Sequence, residues 1–254
     1  MCNTAGITVS GKFLQTIKEI NPATFIGRGK IEEIAKLAKN NGVNLLVFDD
    51  ELSPAQTYNI ESITGLKVID RTIVILEIFA RRARTKEAKL QVELARYEHL
   101  LPRLTHMWLH LHRQRGGIGV RGGAGEKELE TDRRAIKKKI HILKQKIKDI
   151  ERTRNIQREQ RRGFIKGAII GYTNAGKSTL FNILTGANSY VEDKLFATLS
   201  TYIRKAYIHG LEFLLIDTIG FVRKLPVSLV ASFKATIEEA READFLIHCI
   251  DISD

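Results

Sequence analysis

Hydrophobic and polar positions change their period along this chain, and each change predicts a different kind of element. In the first eighty residues short β-prone runs alternate with helical pieces. Ile7-Thr8-Val9 and Thr24-Phe25-Ile26 read as short strands. Lys30 to Lys39 places Ile31, Ile34, Ala35 and Ala38 at helical spacing, and Asn40-Asn41-Gly42 stops it. Val43 to Phe48 is an apolar strand broken only by Asn44 and closed by Asp49-Asp50. Ser53 caps a short helix with Pro54 at its first position. Leu66 to Ile69 is a further strand. This alternation predicts a small α/β unit with a parallel sheet.

The middle of the chain follows a seam pattern instead. Leu90, Leu94, Tyr97 and Leu101 are spaced 4-3-4; Ile136, Ile140, Leu143, Ile147 and Ile150 are spaced 4-3-4-3. Such stripes belong to packed helices, whether in a separate hairpin or in an ordinary core. Between them, Arg113 to Gly125 holds too many glycines for a helix. The prediction is an antiparallel helical hairpin with a basic tip. Glycine-rich segments are often linkers. Arginines interspersed with glycines also suit segments that grip RNA phosphates. Composition leaves both readings open.

From about residue 164 the α/β character returns. Ala168-Ile169-Ile170 reads as a strand leading into Gly171-Tyr172-Thr173-Asn174-Ala175-Gly176-Lys177-Ser178-Thr179. Leu180 to Leu184 continues as a helix that Gly186 stops. The spacing G-x-x-x-x-G-K-S in a strand–turn–helix context is that of a phosphate-binding loop. Two glycines let the backbone wrap phosphate oxygens, and the turn and the helix start aim N–H groups at the anion. Lys177 adds positive charge, and Ser178 offers a hydroxyl to Mg²⁺. Downstream, Asp217-Thr218-Ile219-Gly220 ends the apolar run Leu211 to Ile216. An Asp at a strand tip can hold Mg²⁺ through water, and a following Gly lets the backbone approach a terminal phosphate. A ligand-free turn is the bland alternative for each motif. Together they point to a phosphate-hydrolysing nucleotide switch. Around them, Ala206-Tyr207-Ile208 and Phe213 to Ile216 read as neighbouring strands turned by His209-Gly210. A helix from Ser228 to Ala243 carries Leu229, Phe233, Ile237 and Ala240 on one face. Phe245 to Ile250 reads as a buried strand, with His248 as a core histidine.

Composition narrows the partners. The chain has 254 residues and 43% hydrophobic content, enough for modest cores. Cys2 and Cys249 show no metal-ligand spacing and read as small apolar residues, which suits a reducing, cytoplasmic setting. No apolar run approaches the roughly eighteen residues of a membrane span, and the start lacks a signal-peptide pattern. Net charge is +12, from 41 Lys+Arg against 29 Asp+Glu. The excess concentrates at 81–86 and 133–166. Such a field favours polyanions, nucleic acid above all, although solvated helix faces also carry charge runs. No amphipathic interfacial helix supports a membrane-surface role.

Several runs recur in one order along the chain: Phe25-Ile26-Gly27-Arg28-Gly29-Lys30 and Asp50 to Gln56, then Asp70-Arg71-Thr72, Ile78-Phe79-Ala80 and Arg84-Thr85. Gln91 to Ala95, Leu101 to Thr105, Gly116 to Gly119 and Leu129 to Arg134 follow. The last part adds Leu195-Phe196-Ala197-Thr198-Leu199 and Asp217-Thr218-Ile219-Gly220-Phe221. In these runs, across nearly its whole length, the chain resembles the HflX family of ribosome-associated GTPases.

The resemblance implies a three-part α/β chain. A small N-terminal α/β domain occupies 1–80, an antiparallel helical hairpin with a Gly-rich tip 81–162, and a partial P-loop GTPase domain 163–254. It implies GTP as substrate, Mg²⁺ held by Ser178 and Thr198, and nucleotide contacts from Gly171 to Thr179, Phe196 to Leu199 and Asp217 to Gly220. It implies binding to the large ribosomal subunit and its RNA, with the hairpin tip reaching toward the peptidyl-transferase region, and splitting or rescue of stalled ribosomes. A monomer is the expected state, although the sequence itself does not fix it. On its own, Thr198 reads equally as a β-prone loop residue. Phe221 stands where many switch GTPases place a water-orienting Gln. A phenyl ring cannot polarise water, so no catalytic group is assigned. Three departures stand out: Ser200-Thr201 replaces the family's Asp-Pro, the chain begins at what resembles the family's Thr-Ala-Gly run (Thr4-Ala5-Gly6), and the Asn-Lys-x-Asp motif that selects guanine is absent. The chain is therefore expected to be cut short at both ends. Two other classes fit the residues: a non-catalytic ribosomal RNA-binding protein, and an ATP-using RNA remodeller.

Overall fold

The structure, a computed structural model, describes residues 1–104, 123–159, 163–186, 196, 202–222 and 234–252. The chain divides into two compact units. One comprises Met1–Ile75 and Arg96–Ile140, the other Leu76–Ala95 and His141–Asp254.

In the first unit, α1 (Arg28–Asn40) is followed by β1 (Leu45–Val47), α2 (Pro54–Thr64) and β2 (Lys67–Ile69). The strands pair in parallel with Leu46 opposite Val68, as the alternation predicts. Helix α1 buries Ile31, Ile34, Ala35 and Ala38, the four residues at helical spacing. Phe25, Ile31, Leu52, Ile60 and Val68 form the core. Helix α2 begins with a reciprocal cap: Gln56 N donates to Ser53 Oγ at 3.2 Å, and Ser53 N donates to Gln56 Oε1 at 2.9 Å. Such a cap stabilises a helix start by about 1 kcal/mol.

Two expected strands do not form. Residues 7–9 are irregular, and Thr24-Phe25-Ile26 makes only a single bridge, Asn21 to Phe25. Local hydrogen bonding wins there. Asn21 Oδ1 accepts from the N–H groups of Ala23 (2.8 Å) and Thr24 (3.1 Å), and Phe25 sits at φ +67°. This is an Asx turn, which competes directly with a strand ladder.

Three helices make up the middle of the chain: α3 (Arg71–Arg82), α4 (Lys86–Leu100) and α5 (Gly123–Glu159), with a 3₁₀ turn at Leu101–Arg103. Helix α3 was not predicted. Its start is marked by Asp70, whose Oδ1 accepts from Ile73 N at 3.0 Å, and it buries Val74, Ile75, Leu76, Ile78 and Phe79. The seam expected on α4 is shifted: Ala88, Gln91, Val92, Leu94, Ala95 and His99 are buried, while Leu90, Tyr97 and Leu101 are half-buried. Small Ala side chains draw the packed face toward themselves, which a count of large residues misses. On α5 the expected seam holds. Between 131 and 150, only Ile136, Ile140, Leu143, Ile147 and Ile150 escape full exposure. Glu87, early in α4, pairs with Arg154, late in α5; Tyr97, late in α4, lies beneath Lys139, earlier in α5. The two helices are therefore antiparallel. Helix α5 begins inside the Gly-rich stretch, at Gly123. First-turn amides lack intrahelical partners in any case, so glycine costs least there. Residues 113–122 lie outside the described set.

In the second unit, β3 (Lys166–Gly171), α6 (Lys177–Thr185), β4 (Tyr202–Ile208), β5 (Leu211–Asp217), α7 (Lys234–Arg241) and β6 (Phe245–Cys249) follow in order. The sheet runs β4-β5-β3-β6. β3 pairs in parallel with β5 and β6, and β4 pairs antiparallel with β5 across His209-Gly210. Ile169, Phe181, Ala206 and Leu215 form the core. Two expectations fail at β6. As one of the two edge strands among the described residues, it leaves Phe245, Leu246 and His248 exposed, so it is not a buried strand and His248 is not a core residue. A continuous apolar run cannot by itself distinguish a central strand from an edge. Of the helix predicted over 228–243, α7 covers the later part; Leu229 and Phe233 lie outside the described residues. No helix among those described is long and apolar enough to cross a membrane.

The first unit also holds a buried charge cluster. The Asp70 carboxylate is 2% exposed. Its Oδ2 accepts from Arg103 Nη2 at 2.9 Å and from Leu52 N at 3.3 Å. Arg103 Nη2 also donates to Leu52 O at 2.8 Å, and Nη1 to His99 O at 3.1 Å. One guanidinium thus ties the turn after α4 to the loop before α2 and to the start of α3. His99 Nε2 lies 3.9 Å from Asp70 Oδ1, too far for a hydrogen bond. Burial, reinforced by Arg103 and only partly opposed by Asp70, pushes the imidazole from 6.5 down to about 4.

Two results should follow. Arg103→Leu leaves a buried carboxylate without its countercharge and should cost about 3–5 kcal/mol in urea melts. The unfolded chain protonates His99 near pH 6.5 and the folded one only near 4. Stability should therefore fall as pH drops through that window and level off below it. His99→Gln should flatten this dependence, and an unchanged pH profile in that variant would refute it.

Candidate functional site

The candidate chemistry gathers at the C-terminal ends of β3, β5 and β6, where open parallel sheets place ligands. Strand register does the placing. Ile169 stands opposite Asp217, and Gly171 opposite Cys249. A Cβ on Gly171 would lie 2.2 Å from the Cys249 carbonyl oxygen, and its φ of +146° is one that side-chain-bearing residues rarely adopt. The loop therefore leaves the sheet at a point only glycine can occupy. Asn174 and Gly176 follow at φ +70° and +81°, and α6 starts at Lys177.

Within this loop Lys177 is 6% exposed, and its Nζ donates to the Tyr172 carbonyl. Burial lowers the pKa of this amine; the nearby Asp217 carboxylate opposes that shift, as does Cys249 more weakly. Burial likewise raises the Cys249 thiol. Ser178 Oγ donates to Asp217 Oδ2 at 2.8 Å, joining the first turn of α6 to the tip of β5. Thr218 Oγ1 donates to Ile169 O at 2.6 Å and locks that tip beside β3. Gly220 packs against the loop so tightly that a Cβ would lie 2.6 Å from Thr173 Cα and 2.7 Å from Lys177 Nζ. Phe221 closes the junction by main-chain bonds: Thr173 N donates to Phe221 O (2.8 Å), and Phe221 N to Gly171 O (3.0 Å).

The two motifs therefore meet. Gly171 to Thr179 form the loop and helix start, Asp217 to Gly220 the facing strand end. Tyr172 and Thr179 are exposed; Ala175 N donates to Tyr172 O at 3.3 Å. Phe196 is buried at 2%, its ring edge-on to Phe79. Ala197, Thr198 and Leu199 lie outside the described residues. A hydroxyl and a carboxylate, hard oxygen donors 2.8 Å apart beside a phosphate-type loop, are a donor set that fits Mg²⁺. Three participants escaped the sequence: the Cys249 carbonyl, the Phe221 main chain and the Phe79 ring. The first two act through backbone, which leaves no residue signature beyond the facing glycines.

Three family models match consecutive parts of the chain: "GTP-binding GTPase N-terminal" over 1–80, "GTP-binding GTPase Middle Region" over 82–161 and "50S ribosome-binding GTPase" over 166–254. The chain is 54% identical to GTPase HflX of Flavobacterium psychrophilum, over 98% of its own length and 60% of that protein's. It is 46% identical to GTPase HflX of Escherichia coli, over its full length and 60% of that protein. It thus spans about 60% of the length of these curated relatives. A crystal structure of a GTP-binding protein from Sulfolobus solfataricus in complex with GDP superposes with a TM-score of 0.51. That protein is 27% identical, covering 98% of this chain and 65% of its own.

Gly171→Ala should destabilise the chain by about 1–3 kcal/mol in denaturant melts, because main chain cannot yield as a side chain can. Gly11→Ala, in open space without positive φ, is the control. Equal midpoints for the two variants would contradict the close approach.

Proposed function

The chain belongs to the HflX family of GTPases, and from that premise we propose that it binds and hydrolyses GTP with Mg²⁺ and acts on the large ribosomal subunit. The observation that carries this reading is the junction of Ser178 and Asp217 at 2.8 Å beside Lys177, at the ends of two parallel strands. It is the arrangement a phosphoanhydride-cleaving site needs.

In this reading the amides from Tyr172 to Thr179 and the start of α6 bind the phosphate oxygens. Lys177 and Gly220 lie side by side, so a terminal phosphate drawn to the Gly220 amide meets the lysine's charge. Ser178 would hold Mg²⁺ directly, with Asp217 behind it and, by family resemblance, Thr198 joining. When bound, Mg²⁺ neutralises charge on the phosphates during in-line transfer. Guanine choice is drawn from the family, because the described residues contain no base-selecting carboxylate. Phe221 presents no group that can orient water, so turnover by the chain alone is slow and needs the partner to complete the site.

The partner reading rests on α5. Arg133, Arg134, Lys137, Lys138, Lys146 and Lys148 are exposed around its narrow seam, and the chain carries +12. Such a helix suits RNA phosphates. The finer proposal is that the protein splits or rescues stalled ribosomes as a monomer in the cytoplasm.

Lys177→Ala should lower affinity for a fluorescent GTP analogue at least ten-fold in Mg²⁺ buffer, about 1.4 kcal/mol or more. ATP should not compete. Unchanged affinity would refute the site. Purified large subunits should raise GTP turnover. Replacing Lys137, Lys138, Lys146 and Lys148 with Ala should weaken subunit binding and flatten its salt dependence in pelleting assays. Failure of subunits to stimulate turnover would remove the ribosomal reading and leave the GTPase.

A further inference from the structure

Beyond the ends of β3 and β5 the two segments are joined once more, by main chain. Tyr172 and Phe221 form a parallel bridge. Phe221 N donates to Gly171 O at 3.0 Å, and Thr173 N donates to Phe221 O at 2.8 Å. Both bridge residues are exposed, so little side-chain burial holds the bridge shut. The bridge carries Gly220 onto the loop, against Thr173 and Lys177 Nζ. Lys177 Nζ in turn donates to the Tyr172 carbonyl. Two groups that the GTPase reading assigns to phosphate, the Thr173 amide and the lysine, are thus engaged by the protein itself. An amide has one hydrogen to give. A phosphate oxygen that takes it from Thr173 must displace the Phe221 carbonyl. The space between Gly220 and Lys177 Nζ does not admit a methyl group, so a terminal phosphate can be seated there only if Gly220 draws back. Phe221 is the next residue, and the same movement pulls on the bridge.

We propose that the Tyr172–Phe221 bridge is an autoinhibitory latch on the phosphate loop. Closed, it opposes a nucleoside triphosphate, and the terminal phosphate opens it by taking the Gly220 side of the loop. A diphosphate lacks that group and leaves the latch shut. This rests on the GTPase reading above. The resistance is set by two main-chain bonds that the exposed rings do not reinforce, so the latch can open and close with each nucleotide.

The test uses the whole chain as wild type, Phe221→Pro and Phe221→Ala, with titrations of GDP and of a non-hydrolysable GTP analogue and with hydrogen exchange at the Phe221 amide. Proline removes the N–H that Gly171 O receives, and alanine keeps it. Phe221→Pro should bind the analogue about ten-fold more tightly, the order expected of one main-chain bond, with its GDP affinity unchanged. Phe221→Ala should match the wild type in both titrations, because the latch is main chain. In the wild type the Phe221 amide should exchange slowly with saturating GDP and roughly ten-fold or more faster with saturating analogue. If Phe221→Pro does not melt cooperatively, the exchange measurement and Phe221→Ala decide. Equal tightening for both nucleotides, unchanged analogue affinity in a folded Phe221→Pro, an alanine variant that behaves like the proline one, or exchange insensitive to the analogue would each overturn the latch. A wild-type chain that binds neither nucleotide removes the GTPase reading and the latch with it; a wild type that binds both, with any of those four results, removes the latch alone.

Discussion

The parallel register of β3 against β5 and β6 is the constraint on which the candidate site depends. It sets Ile169 beside Asp217 and Gly171 beside Cys249, and the other contacts follow from those pairings. Asp217 reaches Ser178 because β5 ends level with the first turn of α6. Thr218 reaches the Ile169 carbonyl because the strands are neighbours. Slipping a strand by one residue would turn each of these side chains to the opposite face of the sheet. Thr218 and Gly220 are therefore as much a part of the geometry as Lys177, although neither carries charge.

Each unit buries a carboxylate, and the two are supported differently. Asp70 receives a guanidinium and two main-chain N–H groups, and its purpose is satisfied within the fold. Asp217 receives a hydroxyl at the rim of a loop whose lysine is also buried. A carboxylate saturated by Arg holds elements together. One bonded to Ser178 at the mouth of a phosphate-type loop is placed among the hard oxygen donors that suit a divalent cation. That contrast, rather than burial alone, separates the structural acid from the candidate functional one.

Much of this was legible in the sequence, for identifiable reasons. The phosphate-type loop, the Ser53 cap and the α5 seam each follow from residue type at fixed spacing, and local physics dictates them. What escaped depends on nonlocal placement. Helix α3 was hidden because its apolar residues crowd around most of its circumference, which blurs the period. The exposure of β6 follows from its place in the sheet order, which no run of apolar residues encodes. The strand expected at Thr24 to Ile26 lost to a single Asn side chain. Phe196 was placed with the site by motif alone, and its ring turned out to face a helix.

Helix α5 shows why charge and packing are compatible here. Thirty-seven residues give an axis of roughly 55 Å. Its seam uses one or two positions per turn, so most of the circumference is free of packing duty. A globular surface helix commits a broader apolar stripe and leaves less room for like charges. Clustered cations on one helix repel, and that cost is tolerable only where solvent screens it or an anion neutralises it. Carboxylates on the same helix answer some of the charge locally: Glu130 pairs with Arg134, and Asp149 with Arg152. Exposed pairs of this kind contribute little stability. The surplus on Lys137, Lys138, Lys146 and Lys148 therefore adds little to the stability of the helix itself, and in the function proposed above it serves a polyanionic partner.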